Sequence, residues 1–273
     1  MDSHVVELFC CPDCWGDLKL SSDDASDSEV SFGQLTCKEC KKVFEVGYGL
    51  PNLVYPDPKE LPEIDEKFRQ QYEKVAASYD RTVRLMLLLF GIWEPWSRKR
   101  NFVNPLEIKS GYRVLEVSAG TGSNIPIIAK QIGTEGEVFA MDLSPEMMAV
   151  AREKLRTKGI KAEFALANGA HLPYKDNIFD AVLHFGGINT FGEKKGALSE
   201  MLRVAKPGAK LVIGDEGLAP GKENTRFGRW LLKMNSLYAH KPPSDLLPEQ
   251  AEEFKVRWIW RGAFYVMEMR KRG

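Results

Sequence analysis

The chain has 273 residues, with 44% hydrophobic and 28% charged residues and a formal net charge of zero. That length suits one α/β domain of about 200 residues plus a small module. The even charge balance excludes a chain steered as a whole toward nucleic acid, so any basic surface must be local. Residues 1–60 nevertheless carry twelve acids and five bases, and the remainder is correspondingly basic.

No basic start with an apolar run and a small-residue cleavage site opens the chain, so no signal peptide is expected. The longest apolar run, Leu85 to Trp93, is shorter than the roughly 20 residues that span a bilayer. A cytoplasmic protein is expected, with thiols that stay reduced.

All five cysteines lie within the first forty residues. Cys11-Pro-Asp-Cys14 and Cys37-Lys-Glu-Cys40 form two C-x2-C turns, each aiming two sulfurs at one centre. Four thiolates match tetrahedral zinc and leave no coordination position open, so the metal should be structural. A segment this small buries too little apolar area to fold alone, and a metal would supply the missing stability. Cys10 stands beside the first turn and reads as a spare or buried thiol. The Ser/Asp-rich stretch Ser21 to Ser31 reads as a solvated loop.

Gly47 to Pro51 closes this small unit and a Pro-rich linker follows. Residues 63–80 have helical periodicity, with Ile64, Phe68, Tyr72, Val75 and Tyr79 on one stripe. From residue 110 strands and helices alternate: strands at 113–117, 137–141, 162–167, 179–185 and 210–214, and helices at 121–131, 144–158 and 193–204. Ser144 is the expected N-cap of the second of these helices, with Pro145 in its first turn and Gly159 past its end. Such alternation predicts a parallel sheet covered on both faces. Residues 253–260 and 263–271 read instead as an antiparallel hairpin turning at Arg261-Gly262.

The loop Glu116-Val-Ser-Ala-Gly-Thr-Gly-Ser-Asn124 follows the first of these strands and opens a helix. Such a loop can serve a dinucleotide, S-adenosylmethionine (SAM) or a plain turn. A dinucleotide site wants a third glycine where Ile125 stands. Glu116 would repel a pyrophosphate but could order the amine-bearing tail of SAM. Asp142, ending the next strand, suits a ribose diol of either cofactor.

At these residues the chain resembles the class I SAM-dependent methyltransferases. Val114 to Asn124 is similar to their first motif, with Ser118 in place of its first glycine. Ala140 to Met148 and Ala167 to Val182 are similar to the second and third, with Asn168 where the family usually has Asp. Gln71 to Asp80 resembles the entry helix of the ubiquinone/menaquinone C-methyltransferase group, where the Tyr-Asp pair lies near the cofactor. The N-terminal unit resembles zinc ribbons fused to other methyltransferases. The resemblance implies a Rossmann-like α/β fold: a mostly parallel seven-stranded sheet with a C-terminal antiparallel hairpin, and a zinc ribbon (residues 1–58) ahead of the methyltransferase domain (59–273). It implies SAM held by Tyr79, Glu116, Ser118, Gly120, Gly122, Asn124, Asp142, Leu143, Met147, Asn168, Gly169, Ala170 and His184, and a structural Zn2+ held by Cys11, Cys14, Cys37 and Cys40.

The sulfonium of SAM already activates the methyl group, so a base is needed only where the acceptor must lose a proton. His184 and Asp215 are the expected catalytic candidates, both at C-terminal ends of strands, with packing roles as the alternative. Arg81 to Arg100 and Arg226 to Met234 are apolar stretches with basic ends. They read as packed helices, or as covers over an apolar, quinone- or isoprenoid-like methyl acceptor with a peripheral membrane contact. An RNA methyltransferase using the ribbon as a docking module, or a SAM-binding interaction protein, are the rival functions. The acidic ribbon argues against RNA.

Overall fold

The computed structural model describes residues 1–22, 29–89 and 91–273. Residues 23–28, the centre of the expected Ser/Asp-rich loop, lie outside the described residues. Strands β1 (Leu18–Ser21), β2 (Gly33–Cys37), β3 (Val43–Gly47) and β4 (Leu50–Pro51) form an antiparallel sheet in the order β1-β2-β3-β4. The two cysteine turns lie before β1 and after β2.

Helix α1 runs over Glu63–Leu89, well past the expected end at residue 80. Glu63, Asp65 and Glu66 sit in its first turn, where carboxylates complement the helix dipole. Nothing between Tyr79 and Leu89 breaks a helix, and the apolar run carries it on to the turn at Gly91, whose φ is +70°. A short helix α2 (Glu94–Arg98) follows, then a π-turn that buries Phe102 and Val103.

Next come β5 (Arg113–Val117), α3 (Ile125–Ile132), β6 (Glu137–Asp142), α4 (Pro145–Thr157) and β7 (Glu163–Leu166). They are followed by β8 (Phe179–Phe185), α5 (Lys194–Val204), β9 (Ala205–Glu216), α6 (Arg226–Met234), β10 (Ala251–Ile259) and β11 (Phe264–Lys271). Ser144 caps α4 as the sequence predicts, its Oγ accepting from the Met147 N–H at 3.2 Å. Helix α3 starts four residues later than expected, because Thr121 to Asn124 stay in the loop. Strand β9 starts at Ala205, five residues before the expected strand at 210–214, because Ala205 pairs with Phe179 ahead of a register shift.

The seven-stranded sheet has the order β10-β11-β9-β8-β5-β6-β7. Five neighbouring strands, β5 to β9, pair in parallel, and β11 runs antiparallel to both β9 and β10. The order reverses between β5 and β8, and there the C-terminal strand ends open a crevice. This is the mostly parallel Rossmann-like sheet with a terminal hairpin that the sequence predicts.

Side-chain parity sorts the sheet into two faces. Val114, Ala140, Leu183, Val212 and Val266 face a core shared with α3 and the π-turn. Leu115, Val117, Met141, Val182, Leu211, Ile213 and Tyr265 face the other core. That second core also holds Val5, Phe9, Leu35, Val46 and Leu53 of the N-terminal unit. The ribbon is therefore not tethered at a distance. Leu53 N–H donates to Leu166 O at 2.8 Å, Cys10 N–H to Pro173 O at 3.1 Å, and Lys175 N–H to Leu8 O at 3.0 Å. The Phe9 ring meets that of Tyr174 at 5.3 Å, and Tyr174 packs edge-on to Phe139 and Phe179. Among the described residues no helix is long and apolar enough to cross a membrane.

Candidate active site

A cavity of about 180 Å³ opens at the switch point. One wall comes from the end of β5 and the loop after it, the end of β6 with the start of α4, and the segment after β7: the polar Glu116, Ser118, Gly120, Asn124, Asp142, Asn168 and Gly169, with Leu143 and Met147 among them. Its apolar wall comes from Phe68, Tyr72, Tyr79, Val83 and Met86 of α1, with Phe185, Phe191, Trp260 and Phe264. Of the thirteen residues expected to hold the cofactor, ten line this one space. Gly122, Ala170 and His184 do not.

The loop is fixed from both sides. Asp142 accepts from the Gly120 N–H at 2.8 Å and from the Ser144 N–H at 2.9 Å. On the other side Asp80 of α1 accepts from Thr121 Oγ1 at 2.5 Å and Ser123 Oγ at 3.2 Å, and pairs with Lys154 at 2.5 Å. Burial pushes Asp80 up, but Lys154 and Thr121 outweigh it and hold the carboxyl below its ordinary value. The Tyr-Asp pair thus divides its work: Tyr79 faces the cavity and Asp80 anchors the loop.

Glu116 is 2% exposed. Its Oε1 accepts from Asn124 Nδ2 at 2.6 Å, and Asn124 Oδ1 accepts from Arg98 at 3.3 Å. Its Oε2 meets no donor among the described residues. Burial pushes this carboxyl up to about 7, against the Asn124 bond that lowers it. A buried carboxylate oxygen without a donor at a cavity wall is a demand for a cationic or hydrogen-bonding ligand. The amine of SAM meets that demand, so the residues present fit the cofactor. Asp142 is also raised by burial, against the Ser144 and Gly120 amides.

Ser118 has φ of +52°, the left-handed region that suits the glycine usual at this motif position. Left-handed backbone costs a non-glycine residue about 1–2 kcal/mol. Glycine's freer unfolded chain takes back about 0.4–1 kcal/mol. Ser118→Gly should therefore raise stability by about 0.5–1 kcal/mol, read as a higher urea midpoint with an unchanged slope.

Three sequence expectations are corrected. A Cβ at Gly122 would lie 3.1 Å from Ile125 Cδ1 and 3.3 Å from Ala151 Cβ. This glycine lets α3 and α4 pack closely and does not face the ligand space. Ala170 lies behind the cavity, where its N–H donates to Asn168 Oδ1 at 3.0 Å. His184 is fully buried, with Nδ1 2.9 Å from Val117 O and Nε2 without a partner among the described residues. Burial lowers its pKa, so the ring is neutral in the core.

The expected catalytic candidates His184 and Asp215 do not line the cavity. Asp215 is 1% exposed, and its carboxylate accepts from the N–H groups of Asn189 at 2.7 Å, Gly187 at 3.2 Å and Glu216 at 2.8 Å. It pins the loop after β8 and is not among the residues that line this cavity. The residues after each, Phe185 and Glu216, are the ones on the cavity wall. Burial, and next the neighbouring Asp215, push Glu216 well above its ordinary value. Tyr72 and Tyr79, with rings 6.0 Å apart, share that wall; burial raises both, Tyr79 to about 12.

Away from the cavity, the ligand sulfurs of Cys11, Cys14, Cys37 and Cys40 lie within 4.8 Å of one another. Cys11 and Cys40 are 3.7 Å apart and Cys14 and Cys37 3.5 Å apart. Zinc–thiolate bonds of about 2.3 Å give a tetrahedral edge of about 3.8 Å, so the set fits zinc. Cys10 is outside the cluster, and burial pushes its thiol up to about 11.

The family model of the ubiE/COQ5 methyltransferase family matches residues 62–217. The ubiquinone/menaquinone biosynthesis C-methyltransferase UbiE of Erwinia tasmaniensis is 38% identical over 144 residues. That stretch covers 52% of this chain and 56% of the relative, so the chain spans about half the length of the curated relatives it matches. Phosphoethanolamine N-methyltransferase 2 of Haemonchus contortus, solved with SAM, superposes with a TM-score of 0.55 at 16% identity, over 65% of this chain and 53% of that one. A SAM-dependent methyltransferase of Thermotoga maritima gives 0.53 at 23% identity, over 74% and 98%. These two likenesses show a shared fold. With a matching family model over more than half its length and the Glu116–Asp142 cavity at its switch point, the chain belongs to the ubiE/COQ5 methyltransferase family.

Proposed function

We propose that the protein is a SAM-dependent methyltransferase acting on a small apolar acceptor with a hydroxylated, quinol-like ring. The observation that carries this is the two-sided cavity. Buried acids and loop amides form one wall, and the α1 stripe with Trp260 and Phe264 forms the other. The similarity to UbiE agrees with it.

In this proposal Glu116 and Asp142 receive the amine and the ribose of SAM, and Asn168 lies beside the adenine. The bound cofactor supplies a methyl group already activated on a sulfonium. The protein's own part is alignment and exclusion of water by Tyr72, Tyr79 and Phe191. Glu216 takes the proton that a ring hydroxyl must lose for the ring carbon to become nucleophilic. Residues 1–58 form a zinc ribbon that buttresses the sheet, and the metal takes no part in the reaction.

Calorimetry with SAM should show one site per chain. Incubation with methyl-labelled SAM and a short-chain quinol should then place the label on a ring carbon. No SAM binding by well-folded protein would sink the proposal. Binding without transfer to quinols, but with transfer to another acceptor, would sink the quinol part alone.

A further inference from the structure

A second, smaller apolar cavity adjoins the first, bordered by Met86, Leu87, Ile92, Phe227 and Leu231. Both cavities share Met86, Leu87, Trp260 and Phe264, so they adjoin across these side chains, which mark an apolar path toward α6. Around the outer end the helices turn apolar side chains to solvent: Leu85 (59% exposed), Leu88, Trp93 (62%), Trp96, Trp230 and Met234. Each lies within three residues of a side chain that lines the path. They form a rim and not a scatter of single positions.

Bases outnumber acids around the rim, where α2 itself contributes one acid, Glu94. Arg81, Arg84, Lys99, Arg100, Arg226 and Lys233 are exposed. None of them meets an acid within ion-pair distance among the described residues. Some bases elsewhere do hold carboxylates, among them Arg69, Arg113, Lys154, Arg203, Lys210 and Arg257. Exposed bases without a carboxylate partner, Arg100 lying over the Trp96 ring, around protruding tryptophan and leucine are what an anionic bilayer surface accepts. The ammonium and guanidinium groups meet headgroup phosphates, and the apolar side chains enter the interface. Leu85, Leu88 and Met234 have no ring to stack on a nucleobase, which favours lipid over RNA.

We infer that the rim formed by the end of α1, α2 and α6 docks the protein on an anionic lipid bilayer, with the apolar path opening onto the membrane. The inference needs no particular acceptor and is tested without turnover. The full-length protein, kept in zinc, is sedimented with vesicles of phosphatidylcholine containing about a third phosphatidylglycerol, and with phosphatidylcholine alone. Binding at least tenfold stronger to the anionic vesicles is expected, with a blue shift of tryptophan fluorescence. Arg84→Glu/Arg100→Glu/Lys233→Glu should lower that binding at least tenfold. Trp93→Ser/Trp96→Ser should remove most of the blue shift. Circular dichroism and SAM affinity should stay unchanged in both variants. Binding equal on both vesicle types, binding untouched by the charge reversals, or loss only through competition by random-sequence RNA would each overturn the inference.

Discussion

Replacing Glu216 by Gln is expected to lower kcat about a hundredfold while the affinity for SAM stays within a factor of two. Proton transfer by a positioned side chain contributes on the order of 10²–10⁴ in rate, and the amide keeps the shape but cannot take a proton. Glu216 lines the cavity beside Tyr72 and Tyr79, and burial with Asp215 alongside raises its pKa. A raised carboxyl is mostly protonated at the acid end and becomes a base as pH rises through its pKa. The rate should therefore climb with pH, with a midpoint above the usual carboxylate range, and Glu216→Gln should flatten that limb. Burial also raises Glu116, to about 7, but it lines the part of the cavity proposed for SAM, so its ionisation should appear in the SAM affinity. A kcat profile that keeps its acid limb in Glu216→Gln would show that another group takes the proton.

The contrast between Asp215 and Glu216 shows where the sequence stops being informative. Both strands were located correctly, and strand ends are where this fold keeps its chemistry. Which of two consecutive residues faces the ligand is a matter of parity, and one residue of slip turns every side chain to the other face. In β5, Glu116 shares its face with Leu183 and Val212, its cross-strand neighbours. Phe185 and Glu216 follow in that parity, and His184 and Asp215 fall on the other. Register between distant strands is a property of the assembled sheet, so no local pattern in β8 or β9 supplies it.

The loop residues were more legible, because the motif is local. Glu116, Ser118, Gly120 and Asp142, all singled out in the sequence, line one cavity. Gly122 was misread since a packing glycine and a ligand glycine look alike until α4 is in place. The aromatic stripe Phe68, Tyr72 and Tyr79 was visible as helical periodicity. That spacing says only that one face is buried, and against what is decided by the tertiary structure. Nor did composition tell that the ribbon joins the sheet's own core. The contacts Leu53–Leu166 and Phe9–Tyr174 span more than a hundred residues and leave no mark in either segment.

That shared core makes metal removal the most disruptive change to expect. Cys14→Ser, or prolonged chelation, should release one zinc per chain and lower the stability of the catalytic domain as well as the ribbon. In small metal-dependent units, metal binding supplies about 10–16 kcal/mol of apparent folding free energy, on the scale of a whole domain's stability of about 5–15 kcal/mol. Without it the ribbon's own four short strands cannot stay folded. Phe9, Leu35 and Leu53 are all buried in the core that includes Val117, Met141 and Tyr174. Losing the ribbon leaves that face of the sheet open to water at about 25 cal/mol per Å² of apolar area. With each kcal/mol moving Tm by about 2–4 °C in a chain of this size, a drop of 10 °C or more is expected. Cys10→Ser is the internal control, since Cys10 stands outside the sulfur cluster and should retain the full zinc content. If the Cys14→Ser protein loses its zinc yet melts at the wild-type temperature with intact SAM binding, the ribbon is a passenger on the sheet and not part of its support.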